Sequence, residues 1–182
     1  MRLEPIDSPP TLTMKLAHFM ARRQFGKVPS PWKVIYGRAP KLAMLSYRIA
    51  KLLEGGLSLD SGLVQLVMTH SSMMNGCGFC ADLHLAQAIQ QELGVEKFRA
   101  LESYRTSDLF DARERAALDY CAEITRSRSV SDETFATLRK NFDERQIVEL
   151  TWVNAIGNFF NLLAVPLGME SDGLAELALS RR

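Results

Sequence analysis

The chain is short of the features that mark specialised protein classes. Its 182 residues include three cysteines and almost balanced charge, 22 Lys and Arg against 21 Asp and Glu, and they hold no run of 18 apolar side chains and no low-complexity tract. Each shortage removes a class. An odd cysteine count leaves one thiol unpaired and argues against an extracellular disulfide framework. Without a long apolar run there is no candidate transmembrane helix, and no membrane partner is expected. The opening Met1-Arg2-Leu3-Glu4-Pro5-Ile6-Asp7 has two acids and a proline where a secretory leader builds its hydrophobic region, so a cytoplasmic protein is expected. A net charge of +1 and a pI near 7.7 argue against a nucleic-acid partner, for which surplus Lys and Arg would displace phosphate counterions. Disorder is excluded by a 47% hydrophobic content.

A chain of this size buries roughly 70% of its unfolded surface and needs no disulfide or metal merely to stay folded, so its cysteines call for another explanation. A single domain over 1–182 is expected, with a basic helical part at 1–60 and a core at 61–166. Charge is unevenly spread: residues 1–53 carry ten Lys and Arg against two acids, or +8, and residues 54–182 carry −7. The two parts should attract. Leu12-Thr13-Met14-Lys15-Leu16-Ala17-His18-Phe19-Met20-Ala21-Arg22-Arg23 is amphipathic and free of acids. A membrane-surface or mitochondrial-targeting helix has that composition. So does a helix whose apolar side packs on the domain while its charges face water, and this second reading is adopted.

Helical signals dominate. A first helix spans about 11–23 after the Ser8-Pro9-Pro10 lead-in, and the glycine and prolines between Phe25 and Pro31 end it and prepare a short helical stretch at Trp32–Tyr36. Pro40 opens another helix, in which Leu42, Leu45, Ile49 and Leu52 mark a buried stripe, and Gly55-Gly56 closes it. A helix at about 61–74 is apolar on most sides, which gives weight to its few polar residues. Asn75-Gly76 breaks it, and the next helix runs from about 77 to 93. Asp111 with Glu114 and Asp143 with Gln146 read as capping boxes, the second opening a long apolar helix that reaches Val165 and stops at Pro166. No segment alternates with period two over enough residues to make a strand, so the expected fold class is all-α, a compact multi-helix bundle.

Chemistry concentrates in Asn75-Gly76-Cys77-Gly78-Phe79-Cys80-Ala81-Asp82-Leu83-His84. On a helix, spacings of three and four put Cys77, Cys80 and His84 along one face, near enough for thiol pairing at one end and proton exchange at the other. Cys77 falls in the first turn, where free amides and the positive end of the helix dipole favour a thiolate. Electrostatics alone contribute little. Lowering a thiol pKa from about 8.5 to about 6.5 raises the thiolate fraction at pH 7 about 25-fold, but the weaker nucleophile loses about eightfold, leaving roughly threefold. Positioning and a proton donor, together roughly 10² to 10⁴-fold, must supply the rest, which makes His84 as important as the cysteines. Two other readings stay open: thiols packed as small apolar groups, and zinc held by Cys77, Cys80, His84 and His70, although ligands from one helix seldom close a tetrahedron without a turn. No metal is expected.

In this all-helical setting the chain resembles the alkylhydroperoxidase D (AhpD) and carboxymuconolactone decarboxylase family, whose redox-active members carry Cys-x-x-Cys-x-x-x-His at the start of a helix; Cys77, Cys80 and His84 match it. The resemblance takes in the preceding helix, Asn75-Gly76 and, more loosely, Phe110 through Ala164. A bare Cys-x-x-Cys would suit thioredoxin equally, but thioredoxin needs a βαβ setting. The resemblance implies an AhpD-like helical bundle and a thiol-dependent peroxidase or disulfide oxidoreductase. Cys80 would attack a hydroperoxide and become a sulfenic acid, Cys77 would resolve it as a disulfide, His84 would relay the proton, and a thiol or dithiol reductant would restore the pair. A homo-oligomer without a cofactor is expected. One position departs from the family: twelve residues before the first cysteine, where redox-active members usually have a glutamate, stands Gln65, which cannot ionise but can orient Cys77 or a water. His70, about a turn and a half later, is a substitute if it faces the site and otherwise has a surface or capping role. Two competing functions remain, a lactone-type decarboxylase, against which the intact cysteines argue, and a non-catalytic redox sensor or assembly module, which Gln65 makes credible.

Cys121 has no partner nearby in sequence and is expected in the core. Asn154, Asn158 and Asn161 form a polar stripe on the last long helix and need hydrogen-bond partners, from a structural network, a subunit contact or the site. Met68, Met73 and Met74 are expected to line the core or a pocket. Any redox role further demands that the two sulfurs come within bonding distance and that a molecule can reach them.

Overall fold

A computed structural model describes residues 1–9 and 11–181; Pro10, part of the lead-in to the first helix, lies outside them. The described residues form no strand. The chain folds into α1 (Leu12–Phe25), α2 (Pro40–Gly55), α3 (Ser61–Met74), α4 (Gly78–Gln90), α5 (Val95–Arg99), α6 (Ala112–Ser127), α7 (Asp132–Arg139), α8 (Glu144–Ala164) and α9 (Leu174–Leu179). Trp32–Tyr36 makes a π-helical turn, and 3₁₀ turns follow at Leu101–Ser103 and Val165–Leu167.

Local chemistry explains the boundaries. Asp60 caps α3 by accepting from the Leu63 amide, and both acid-first capping boxes, Asp111 with Glu114 and Asp143 with Gln146, are complete. α4 ends at Gln90, earlier than its apolar pattern suggests, because Glu92 turns into the left-handed region at φ 59° and the Leu93 amide reaches back to the Ala88 carbonyl. The unanticipated helices α5, α7 and α9 have five, eight and six residues, too few for a hydrophobic period to stand out.

α3 is the axis of the molecule. Its residues Leu63 to Ser72 are all buried, packed by α4, α6 and α8. Gly157 permits the close approach of α8, since a Cβ there would lie 3.3 Å from the Met68 sulfur. A second, smaller core lies between α4, α9 and the π-helical turn and contains Val34, Cys77, Cys80, Ile89 and Leu174.

The expected buried stripe of α2 is not buried. Leu42, Leu45 and Leu52 are 41%, 51% and 41% exposed, and Ala43 is the residue that faces inward. α2 rests on the π-helical turn and on α3, which cover one side of it and leave the leucine row open. α1 packs through Met14, His18 and Ala21, in line with the adopted reading, but its stronger apolar row, Leu12, Leu16, Phe19 and Met20, points the opposite way and is exposed.

Candidate redox site

The turn Asn75-Gly76 sets the start of α4. The Asn75 side-chain amide donates to Asn158 Oδ1 and Asn161 Oδ1, both at 2.9 Å, and the Cys77 amide donates to the Ser72 carbonyl at 2.9 Å. Asn161 in turn donates to the Ser72 hydroxyl at 3.1 Å, while Asn154 accepts from Ser71 and Thr125. The asparagine stripe of α8 is therefore a network inside this chain that clamps the turn before the first cysteine.

Cys77 is the N-cap of α4, and its Sγ accepts from the Cys80 amide at 3.3 Å. Cys77 and Cys80 are joined as a disulfide with their Cα atoms 5.3 Å apart. His84, one turn beyond Cys80, is buried in the same face of α4. Its Nδ1 lies 3.2 Å from Gln65 Oε1 and 3.2 Å from Gln87 Oε1. Amide oxygens only accept, so in this arrangement Nδ1 carries the hydrogen and Nε2 is the basic nitrogen. Burial pushes the ring pKa down to about 4, with the Gln87 hydrogen bond acting in the other direction, so the imidazole is neutral at pH 7.

Gln65, expected to orient Cys77 or a water, lies against the histidine of the motif. Gln87 was missed by sequence reasoning; its signal is a spacing of three from His84 on the same helix. His70 is not brought to the cysteines, a correction to its candidacy as a substitute. It lies about 140° around α3 from Gln65, packs edge-on against the Tyr104 ring at 5.1 Å, and has no hydrogen-bond partner for its buried Nδ1 among the described residues. Burial, then Arg105 and Arg126 against Asp119, lowers its pKa to about 4. The four-ligand zinc set is consequently not assembled. Cys121 is free and fully buried, and burial raises its pKa, which makes it unreactive.

Sulfur pairing is met, but accessibility is not. Cys77 is 1% exposed and Cys80 3%. Leu174, Ala175 and Ala178 of α9 and Val34 of the π-helical turn share their cluster. Beside this cover lies a cavity of about 920 Å³, lined by Met73 of α3, by Ala81, Asp82 and Leu85 of α4, and by Asp172 and Gly173.

An all-helical bundle with a Cys-x-x-Cys disulfide at the head of a buried helix and a histidine one turn on defines the AhpD-like class. The carboxymuconolactone decarboxylase family model matches residues 43–123. YdfG of Bacillus subtilis, itself uncharacterized, is 30% identical over 113 residues, which are 61% of this chain and 77% of YdfG. The chain belongs to the carboxymuconolactone decarboxylase family. Its fold matches the alkylhydroperoxidase AhpD core of an uncharacterized peroxidase-related protein from Ralstonia eutropha JMP134, with TM-score 0.77 and 21% identity over 97% of this chain and 98% of that one. It also matches the debrominase Bmp8 in complex with 2,3,4-tribromopyrrole, with TM-score 0.83 and 18% identity over 100% of this chain and 97% of that one. The family and its structural neighbours thus include enzymes and peroxidase-related proteins.

Proposed function

We propose that the chain is a thiol-dependent peroxidase or disulfide oxidoreductase in which Cys77 and Cys80 cycle between dithiol and disulfide and His84 acts as acid and base. The observation that carries this reading is the Cys77–Cys80 bond at the N-terminus of α4, one turn from a neutral, doubly hydrogen-bonded histidine. His84 takes the Cys80 proton, and the thiolate attacks the terminal oxygen of a hydroperoxide. The O–O bond breaks, the sulfur becomes a sulfenic acid, and the alkoxide leaves as an alcohol with the proton from His84. Cys77 then attacks the sulfenic sulfur and expels hydroxide, which leaves as water. The net change is one hydroperoxide and two thiols to one alcohol, one water and one disulfide, which an external dithiol reduces by exchange. The Cys80 amide and the helix N-terminus stabilise Cys77 as a thiolate and hence as a leaving group, which directs the reductant to Cys80 as well.

Consumption of cumene hydroperoxide with dithiothreitol tests the proposal. Cys80→Ser should abolish it and His84→Ala should lower it roughly 10²-fold or more; wild-type rates in both would overturn it. Burial of the pair favours, as a second reading, a redox switch that oxidises once and turns over no substrate. Peroxide loss that stops at one equivalent per chain with dithiothreitol still in excess would select that reading. We also propose that a second copy of the chain covers the exposed apolar rows of α1 and α2, whose Lys and Arg suit the acidic remainder of a neighbouring protomer.

A further inference from the structure

The disulfide is bonded yet buried, and part of its cover is a six-residue helix too short to persist alone. The apolar contacts of α9 are made by Leu174, Ala175 and Ala178, all buried against α4. Its polar anchorage runs through two carboxylates. The Asp82 carboxylate, inside the cysteine motif, accepts from the Asp172, Leu174 and Ala175 amides at 3.0, 2.8 and 2.9 Å. Asp172 in turn accepts from the Ser30 amide at 2.6 Å and the Ser30 hydroxyl at 2.7 Å. Lys27 donates to its carbonyl at 2.7 Å and pairs with its carboxylate at 3.5 Å. Gly173, at φ +70°, is a pivot that a side chain would strain.

The structure assigns to Asp82 and Asp172 control over access to the Cys77–Cys80 bond, by latching Ser171–Leu179 as a cover that opens onto the neighbouring cavity. One carboxylate ties the cover to α4 and the other ties it to the Lys27–Ser30 loop, so release of either end frees the segment while the α3 core stays packed. Ala81, the residue after Cys80, already lines the cavity, so a small swing of the segment connects it with the sulfur. A short segment outside the main core opens at lower free energy than the whole fold. This inference rests on Cys77 and Cys80 being a cycling pair and is independent of the identity of the oxidant.

The test needs no peroxide. The oxidised full-length protein is mixed with dithiothreitol or dihydrolipoate, each of which ends as a cyclic disulfide while the protein gains two thiols, and thiol appearance is timed. Asp172→Asn should speed both reactions by the same factor, about tenfold or more, the equivalent of one hydrogen bond to a charged group. Ser30→Ala, which removes one hydroxyl and leaves the core intact, should give a smaller gain in the same direction. In the wild type, hydrogen exchange of the α9 amides should run ahead of α3 and α4. Unchanged reduction rates in both variants, or α9 amides that exchange only with the whole molecule, would overturn the assignment. A protein that is gated in this way but consumes no peroxide would keep the cover and lose the peroxidase.

Discussion

Gln65 is the residue at which this chain parts from the redox-active pattern of its family, and its place beside His84 gives the difference a consequence. Both acceptors of His84 Nδ1 are neutral amides, so no charge offsets the burial that holds the ring pKa near 4, and the Gln87 hydrogen bond opposes it only in part. A neutral imidazole can accept a proton, but the imidazolium formed has no carboxylate to stabilise it. Gln65→Glu should raise the ring pKa, lift peroxide turnover roughly tenfold and move the acid limb of the pH–rate profile upward from near pH 4. An unaltered profile would show that the relay does not pass through position 65. The three motif residues were legible in the sequence because helical spacing alone aligns Cys77, Cys80 and His84, whereas Gln65 stood out only through the family resemblance, and its contact with His84 came from the packing of α3 on α4. His70 was misjudged because closeness in sequence on α3 is not closeness in angle: five residues turn it to the side of Tyr104.

The helices reveal which interactions set the site and which only frame it. α4 begins where it does because the Asn75 turn is held from α8, and Asn161 accepts from Asn75 while donating to Ser72. Asn161→Ala should leave the buried Ser72 hydroxyl and the Asn75 amide short of a partner. We expect a cost of about 1–3 kcal/mol in denaturant unfolding together with a changed reduction potential of the pair. A loss of stability with an unchanged potential would reduce the network to scaffolding. Element starts were legible at Asp111 and Asp143, since a capping box is a bond between residues three apart. The α2 stripe was legible as a stripe, but not as an exposed one: periodicity shows that a helix has an apolar side, and only its neighbours decide whether that side is covered.

Over the whole molecule, apolar surface is left open in rows rather than scattered. Leu12, Leu16, Phe19 and Met20 on α1, the leucines of α2, and Val148 and Leu162 on α8 are all exposed in the single chain. α8 with the turn after it is long and apolar enough to cross a bilayer by length and composition, but one side of it carries the buried asparagines and packs on α3 and α6. In the proposed assembly, a charge of +8 over residues 1–53 and −7 over the rest would supply an attraction between protomers. Phe19→Glu should dissociate the assembly, seen as a lower mass in sedimentation equilibrium, with a milder effect at low salt than at high salt, where the attraction is screened. A monomeric wild-type protein would overturn the assembly.

The sequence by itself determined the all-helical class, most helix starts, and the alignment of Cys77, Cys80 and His84. These depend on spacings within one helix or one turn, where backbone geometry leaves little freedom. Only the tertiary structure decided that Gln87 joins His84, that His70 does not, that the leucines of α2 lie open, and that a short helix pinned by Asp82 and Asp172 closes over the sulfurs. Those outcomes depend on which surfaces meet across dozens of intervening residues, and no local period records them.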